Sequence, residues 1–431
     1  MQKSLDQKLA AIHADPSGSR DFIIADAKDA DMAFGIASAG ETLPDAEGRS
    51  RYKTIAEYRE QIRQIVRQGK IDIMLMSASN NDVLNYHEKL FENSHVTPAA
   101  RANDTTDVWV ARDNRYIQQP SLPFRSASLD HIQAGKLNPT DAERKRGTNL
   151  GLYSITFNNR LELDRLALER YSDFRAEAEV KGFRHFLEVF DPNAPEGLTP
   201  ETTPDFVNDC ITRTLAGVAY AGRPIFLKVV YHGPKAMEDL VAYDPHLVVG
   251  ILGGGSGTTY DAFKLLAEAQ KYGARVALYG RKINHAEHQL AFVECLRLIA
   301  DRLISPEEAV RAYHGVLQQM NIRPHRRLED DLLLQTSVMS YGGGSSASVP
   351  AAIPAAAIKS AEVKHDDHHA CACKTKPAAS KWPKEGGCGC HAKADTGVKP
   401  AVVATNDVTK MTPAEKLAYN QRKRDQLYGK Y

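Results

Sequence analysis

A lysine stands in the middle of an apolar run. In GRPIFLKVVYHG, residues 222–233, β-branched and aromatic residues surround Lys228 and Gly/Pro signals bound them, so 224–231 reads as a buried strand. An ammonium is costly there unless it is paired or has a chemical task. Strand side chains alternate, which puts Ile225, Leu227, Val229 and Tyr231 on one face and Phe226, Lys228 and Val230 on the other. An amine attacks a carbonyl only when neutral, and at its ordinary pKa only about one lysine in 2,500 is neutral at pH 7. Burial can lower a lysine pKa by about 3–5 units, and the imine then formed is an electron sink that lets a neighbouring C–C bond break or form. The competing reading is structural. Glu188 lies on the face of Phe186 and Phe190 in RHFLEVF, residues 184–190, and either pairs inertly with Lys228 or shuttles protons beside it.

Two small-residue turns follow at the spacing a phosphate site needs. ILGGGSGTTYDAF, residues 251–263, leads from a strand into a helix, and YGRKIN, residues 279–284, follows the next strand. Exposed backbone N–H groups and the positive end of a helix can cradle a phosphate in such turns. Neither a GxxxxGK[ST] nor a GxGxxG pattern is present, which argues against a nucleotide or dinucleotide loop.

The runs FLKVVYHG, LGGGSGTTYDAF and GARVALYGRKIN together resemble the closing third of the class I, Schiff-base aldolases of the archaeal and bacterial fructose-bisphosphate aldolase and deoxyribose-phosphate-aldolase-like family. The resemblance implies Lys228 as the imine-forming nucleophile, with Gly254, Gly255, Ser256, Gly280 and Arg281 around a substrate phosphate. IIADAKDAD, residues 23–31, is similar to the family's first strand, which implies Asp26, with Asp29 as the other match, as an active-site carboxylate. LEVFDPN, residues 187–193, departs from the family's fifth-strand motif, so Tyr153 and Tyr231 both stand as candidates for the acid–base tyrosine, with Tyr231 outward by alternation. The expected activity is a carbon–carbon lyase acting on a phosphorylated ketose or related sugar phosphate, with no cofactor for catalysis. A phosphosugar-binding barrel without imine chemistry is the alternative, and a non-catalytic scaffold acting through the tail is the third reading.

Other residues carry weaker signals. His232 reads as a loop histidine, His285 and His288 as the first turn of a solvated helix, and Cys210 and Cys295 as helix-packing residues. The tail is denser in chemistry: His365, His368 and His369 precede Cys371 and Cys373, and Cys388, Cys390 and His391 follow. Thiolates and imidazoles at this density can take zinc or copper, although the spacing is CxC and not the CxxC of zinc knuckles.

The elements that must position these residues alternate in type. Strand candidates fall at 21–27, 71–76, 107–112, 152–157, 184–190, 224–231, 246–252 and 275–279, with helical patterns at 55–69, 80–92, 160–181, 203–220, 234–242, 258–272 and 285–303. Ala262, Leu265, Leu266 and Ala269 show the helical period, and Gly273 stands where that helix would stop. Eight such units predict an α/β fold, a (β/α)8 TIM barrel over 21–335, with an open doubly wound sheet as the alternative. A short helix within 1–20, ending at Pro16, precedes it. A flexible low-complexity linker with the Cys/His cluster is expected over 336–409, and a tethered C-terminal helix over 410–431, where Thr412, Pro413 and Glu415 form a capping signature.

Bulk numbers narrow the partners. The 431 residues carry a net charge of +1 and are 42% apolar, which argues against general nucleic-acid binding. No apolar run approaches the roughly 20 residues of a membrane span, and the first twenty residues lack a signal-peptide core. The expectation is a cytoplasmic homo-oligomer whose partner is a small sugar phosphate. The terminal helix resembles encapsulation peptides, which implies a bacterial-microcompartment shell protein as a further partner.

Overall fold

Eight parallel strands close on themselves in the computed structural model, which describes residues 2–336 apart from 46, 112, 255 and 256. They are β1 (Ile23–Lys28), β2 (Ile73–Met76), β3 (Thr97–Arg101), β4 (Leu150–Thr156), β5 (Arg184–Phe190), β6 (Leu227–Val229), β7 (Val249–Leu252) and β8 (Val276–Tyr279). Each pairs with its sequence neighbours and β8 pairs with β1, so the open-sheet alternative falls. The described residues belong to one compact unit, Met1–Lys359; the linker and terminal helix expected beyond 336 lie outside the described residues.

The alternation of side chains sorts the core into two layers. Ile23, Ala25, Ile73, Leu75, Ala99, Leu152, Phe186, Phe226 and Leu278 pack inside the barrel, while Ile24, Met74, Tyr153, Leu187, Leu227, Val229 and Ile251 pack under the helices. The helix Ser4–Ala14 adds Leu5, Leu9 and Ile12 to the inner layer. Its ties run to the amino ends of the strands: Lys8 pairs with Asp72 at 2.8 Å, and Lys3 Nζ donates to the carbonyls of Phe91, Ser94 and Val96. The amino end of the barrel is thereby plugged, leaving the carboxyl end for chemistry.

The helix Thr259–Lys271 buries Ala262, Leu266 and Ala269 as its period requires, begins with a Thr258–Asp261 capping box and stops before Gly273 at φ +106°. A helix absent from the expected set, Pro306–Gln319, also carries a capping box, Ser305–Glu308, with Pro306 in its first turn.

The third strand is a correction. The expected strand at 107–112 is not one: β3 is Thr97–Arg101, the run TPAAR, and residues 107–111 belong to an irregular excursion. Proline and two alanines hide a strand from propensity reasoning. The alternating DVWV instead serves a surface aromatic cluster, in which Trp109 stacks on Tyr116 at 5.7 Å and meets Phe124 at 5.3 Å. The excursion includes an antiparallel ribbon, Asp104–Thr105 against Pro123–Phe124, and crosses the carboxyl face. It is pinned by Val110 N–H to Ala33 O at 2.7 Å, by Thr156 Oγ1 to Asp107 at 2.7 Å, and by Asn193 Nδ2 to the carbonyls of Ile117 and Gln119.

Candidate active site

The register lines up one row of inward residues. Ser154 pairs with Glu188, Glu188 with Lys228, and Lys228 with Gly250, across β4, β5, β6 and β7. Below them Phe186 and Phe226 stack at 4.5 Å and form an apolar floor. On that floor Lys228 Nζ lies 2.5 Å from Glu188 Oε1, with side chains 8% and 1% exposed. Ser154 Oγ donates to the other carboxylate oxygen at 2.7 Å. Gly250 lets the neighbouring strands pack closely beside the lysine, since a Cβ there would meet Val276 Cβ at 2.7 Å and Leu227 O at 2.8 Å.

A second cation completes the cluster. Arg101, at the end of β3, donates from Nε to Asp29 at 2.6 Å and from Nη1 to Ser154 Oγ at 3.3 Å, and its Nη2 is 3.8 Å from Glu188. Nothing in the sequence reading marked Arg101; alternation along TPAAR would have aimed it inward had that run been recognised as a strand. Asp29, the second of the two aspartates the resemblance offered, is thus the one tied into the Lys228 cluster.

Asp26 is not brought to Lys228. It lies on the helix side of β1, opposite the inward Ala25 and Ala27, fully buried and 3.3 Å from Lys28. Lys28 Nζ also donates to Asn284 Oδ1 and, at 3.0 Å, to Gln289 Oε1. Tyr153 is likewise outside the lumen: it packs against Tyr171 and Phe174, and burial pushes its phenol up. Tyr231 belongs to the same helix-facing layer, as alternation requires. Side-chain parity separates Asp26 and Tyr153 from the lumen, and the same rule had placed Lys228 within it.

Burial raises the carboxyls of Asp26 and Asp31 to about 6, Lys28 holding Asp26 down in part and the Ser77 hydroxyl holding Asp31 down in part. Both pKa values exceed the unfolded-chain value of 3.8, so their contribution to stability is full below it and is lost as pH rises through about 6. At 1.36 kcal/mol per pKa unit, the change for Asp26 is about 3 kcal/mol. Asp31→Asn is therefore expected to flatten the fall of urea-unfolding free energy between pH 4 and 6.5. An unchanged slope would mean the burial penalty has been misassigned.

Around the phosphate turns, Gly254 has φ +61° with open space where a Cβ would point, and a Cβ on Gly280 would meet Ala27 O at 2.7 Å. Gly255 and Ser256 lie outside the described residues. Arg281 follows Gly280 at the carboxyl end of β8; burial lowers its pKa while the field of Glu188 opposes that shift. Its Nη1 is buried and has no hydrogen-bond partner among the described residues. Lys282 braces the glycine loop by donating to the carbonyls of Gly257 and Thr258 at 2.6 and 3.0 Å.

The remaining candidates take other places. His288 is the N-cap of the helix Gln289–Ala300, accepting from Ala291 N–H at Nδ1, so that helix starts four residues later than the expected 285. Cys210 and Cys295 pack in or against the core, and burial pushes both thiols up to about 12. Among the described residues no group of three or more His, Cys, Asp or Glu could hold a metal ion, and no helix is long and apolar enough to cross a membrane. Cys371, Cys373, Cys388 and Cys390 lie outside the described residues, as does the terminal segment expected to bind a shell protein. A cavity of about 600 Å³ between the helices, lined by Gln270, Lys271, Ile299, Arg302 and Ser305, contains none of the candidates.

No protein family matches the chain, and no curated protein does. Among solved structures, an archaeal fructose 1,6-bisphosphate aldolase is 15% identical, over 68% of this chain and 99% of that one, with a TM-score of 0.49. An archaeal fructose-1,6-bisphosphate aldolase with its catalytic lysine covalently bound to the carbinolamine intermediate is 16% identical, over 68% and 99%, with a TM-score of 0.48. N-acetylneuraminate lyase from Fusobacterium nucleatum is 11% identical, over 70% and 82%, with a TM-score of 0.36. The barrel and its site stand on their own geometry, to which these likenesses add no argument.

Proposed function

We propose that the chain is a Schiff-base aldolase acting on a phosphorylated ketose or a related sugar phosphate. The observation that carries this reading is the amine and carboxylate 2.5 Å apart on an apolar floor at the carboxyl end of the barrel. Glu188 is placed to accept the ammonium's proton, which frees the Nζ lone pair for a carbonyl. Arg281 Nη1, buried and without a hydrogen-bond partner among the described residues, supports an anionic group on the substrate, and Glu188 acts on the same guanidinium electrostatically. Gly254, with open space where a Cβ would point, leaves the backbone open to it.

The closed Lys228–Glu188 pair also favours a second reading, in which Lys228 is only a cation in a phosphosugar-binding barrel. Borohydride trapping separates the two. The protein is incubated in separate tubes with dihydroxyacetone phosphate, fructose bisphosphate and deoxyribose phosphate, reduced, and analysed by intact mass and peptide mapping. A substrate-dependent mass gain on the peptide bearing Lys228 is expected. A gain on another lysine overturns the assignment of the nucleophile, and no gain with any of the three overturns the aldolase reading.

A further inference from the structure

Among the described residues, Glu188 serves Lys228 itself and no second proton carrier of the Lys228 cluster is free of a partner. Glu188 is engaged on both oxygens, by Lys228 and by Ser154, with Arg101 close by. Asp29 is held by Arg101, while Tyr153 and Asp26 face the helices. Imine chemistry needs a group that takes a proton from a substrate hydroxyl and returns it to carbon.

The two strands that carry Glu188 and Lys228 bring a second pair together just beyond their carboxyl ends. Asp191 directly follows β5, and His232 lies four residues beyond Lys228. His232 Nε2 is 2.8 Å from Asp191 Oδ1, with side chains 6% and 7% exposed. His232 follows Tyr231, which packs under the helices, in the unpaired stretch beyond β6, and its tie to Asp191 holds the ring beside the carboxyl ends of β5 and β6. Nδ1 of His232 makes no hydrogen bond among the described residues. A carboxylate on Nε2 fixes the ring and favours the tautomer with its proton on Nε2, which leaves the Nδ1 lone pair to act as a base.

We propose that His232, oriented by Asp191, is the catalytic acid–base of this site; the inference rests on the Schiff-base reading. Once the Lys228 imine has formed with loss of water, Nδ1 takes the proton of the hydroxyl on the carbon beyond the bond to be cleaved. The electrons of that C–C bond move into the iminium, giving an enamine and a free aldehyde. The imidazolium then protonates the enamine carbon, and water hydrolyses the regenerated iminium to the ketone and the Lys228 amine. Run backward from the ketone, the same base removes the proton alpha to the iminium.

That backward step gives the test, with the full chain and dihydroxyacetone phosphate as probe. Imine formation is read by borohydride trapping at Lys228, and alpha-proton removal by deuterium uptake from D2O. His232→Gln is expected to keep trapping within about threefold of wild type while slowing deuterium uptake by about 10²–10⁴-fold, the ordinary worth of a general base. Asp191→Asn, nearly isosteric, is expected to slow uptake to a lesser degree with trapping intact, and serves alone if the histidine variant does not fold. Uptake at the wild-type rate in folded variants overturns the proposal. So does joint loss of trapping and uptake, which would make the pair a brace for the 230–233 turn, or wild-type trapping with no uptake at all. Absence of any adduct in wild type would instead overturn the Schiff-base reading and take the His232 role with it.

Discussion

Lys228→Arg is expected to leave a folded barrel that neither traps a sugar phosphate nor turns one over, with activity at least about 10⁴-fold below wild type, or about 5 kcal/mol of transition-state stabilisation. A guanidinium keeps a cation against Glu188 but does not give up its proton, so it cannot become an imine. Its fork still suits the carboxylate geometrically, and the stability cost should stay near the 1–3 kcal/mol of an oversized core side chain. Lys228→Ala is expected to lose the same chemistry and more stability, because Glu188, 1% exposed, would lose its cation 2.5 Å away and keep only Arg101 at 3.8 Å. Breaking a buried pair in this way costs about 3–5 kcal/mol. Thermal unfolding and borohydride trapping on both variants separate the two roles of one side chain. Substantial turnover by Lys228→Arg would show that charge alone suffices, and the phosphosugar-binding reading would replace the aldolase one.

How far these residues could be read from sequence depended on whether one rule was applied throughout. Alternation along PIFLKVVY aimed Lys228 inward with Phe226 and put Glu188 on the matching face of its own strand, and the structure pairs the two. The same alternation along IIADAK sets Ile23, Ala25 and Ala27 inward and Asp26 outward with Lys28, so the strand itself contained the reason to prefer Asp29. Small residues inside a barrel strand look unremarkable in sequence, which is also how TPAAR escaped notice and DVWVAR took its place. Strand propensity measures fit to a half-buried surface, and Trp109 found such a surface on an excursion outside the sheet. The Asp191–His232 contact was the least legible, since it joins two loops 41 residues apart whose meeting depends on adjacent strands ending level.

The buried cluster around Arg101 carries the second large effect, on stability. Burial works against its charge, yet Asp29, Glu188 and Asp104 together hold it protonated above its usual value. Arg101→Leu would remove the guanidinium of a side chain 7% exposed, which contacts Asp29 at 2.6 Å, Ser154 at 3.3 Å and the Asn103 carbonyl at 3.5 Å. The lumen would then hold the carboxylates of Asp29 and Glu188 with Lys228 against them, and the expected loss is about 3–5 kcal/mol at neutral pH by urea unfolding. The loss should shrink as pH falls, because acid neutralises whichever carboxylate has lost its partner, and the folded variant then binds protons more readily than the unfolded chain. Adding Asp29→Asn should recover part of the loss, since a charge without a partner costs more than the absence of both. Arg101→Lys keeps the charge but cannot span Asp29, Ser154 and Asn103 at once, so an intermediate loss is expected. If Arg101→Leu unfolds within about 1 kcal/mol of wild type, the cluster is not held by its charges, and the apolar floor of Phe186 and Phe226 with the Ser4–Ala14 plug must be keeping the lumen in shape.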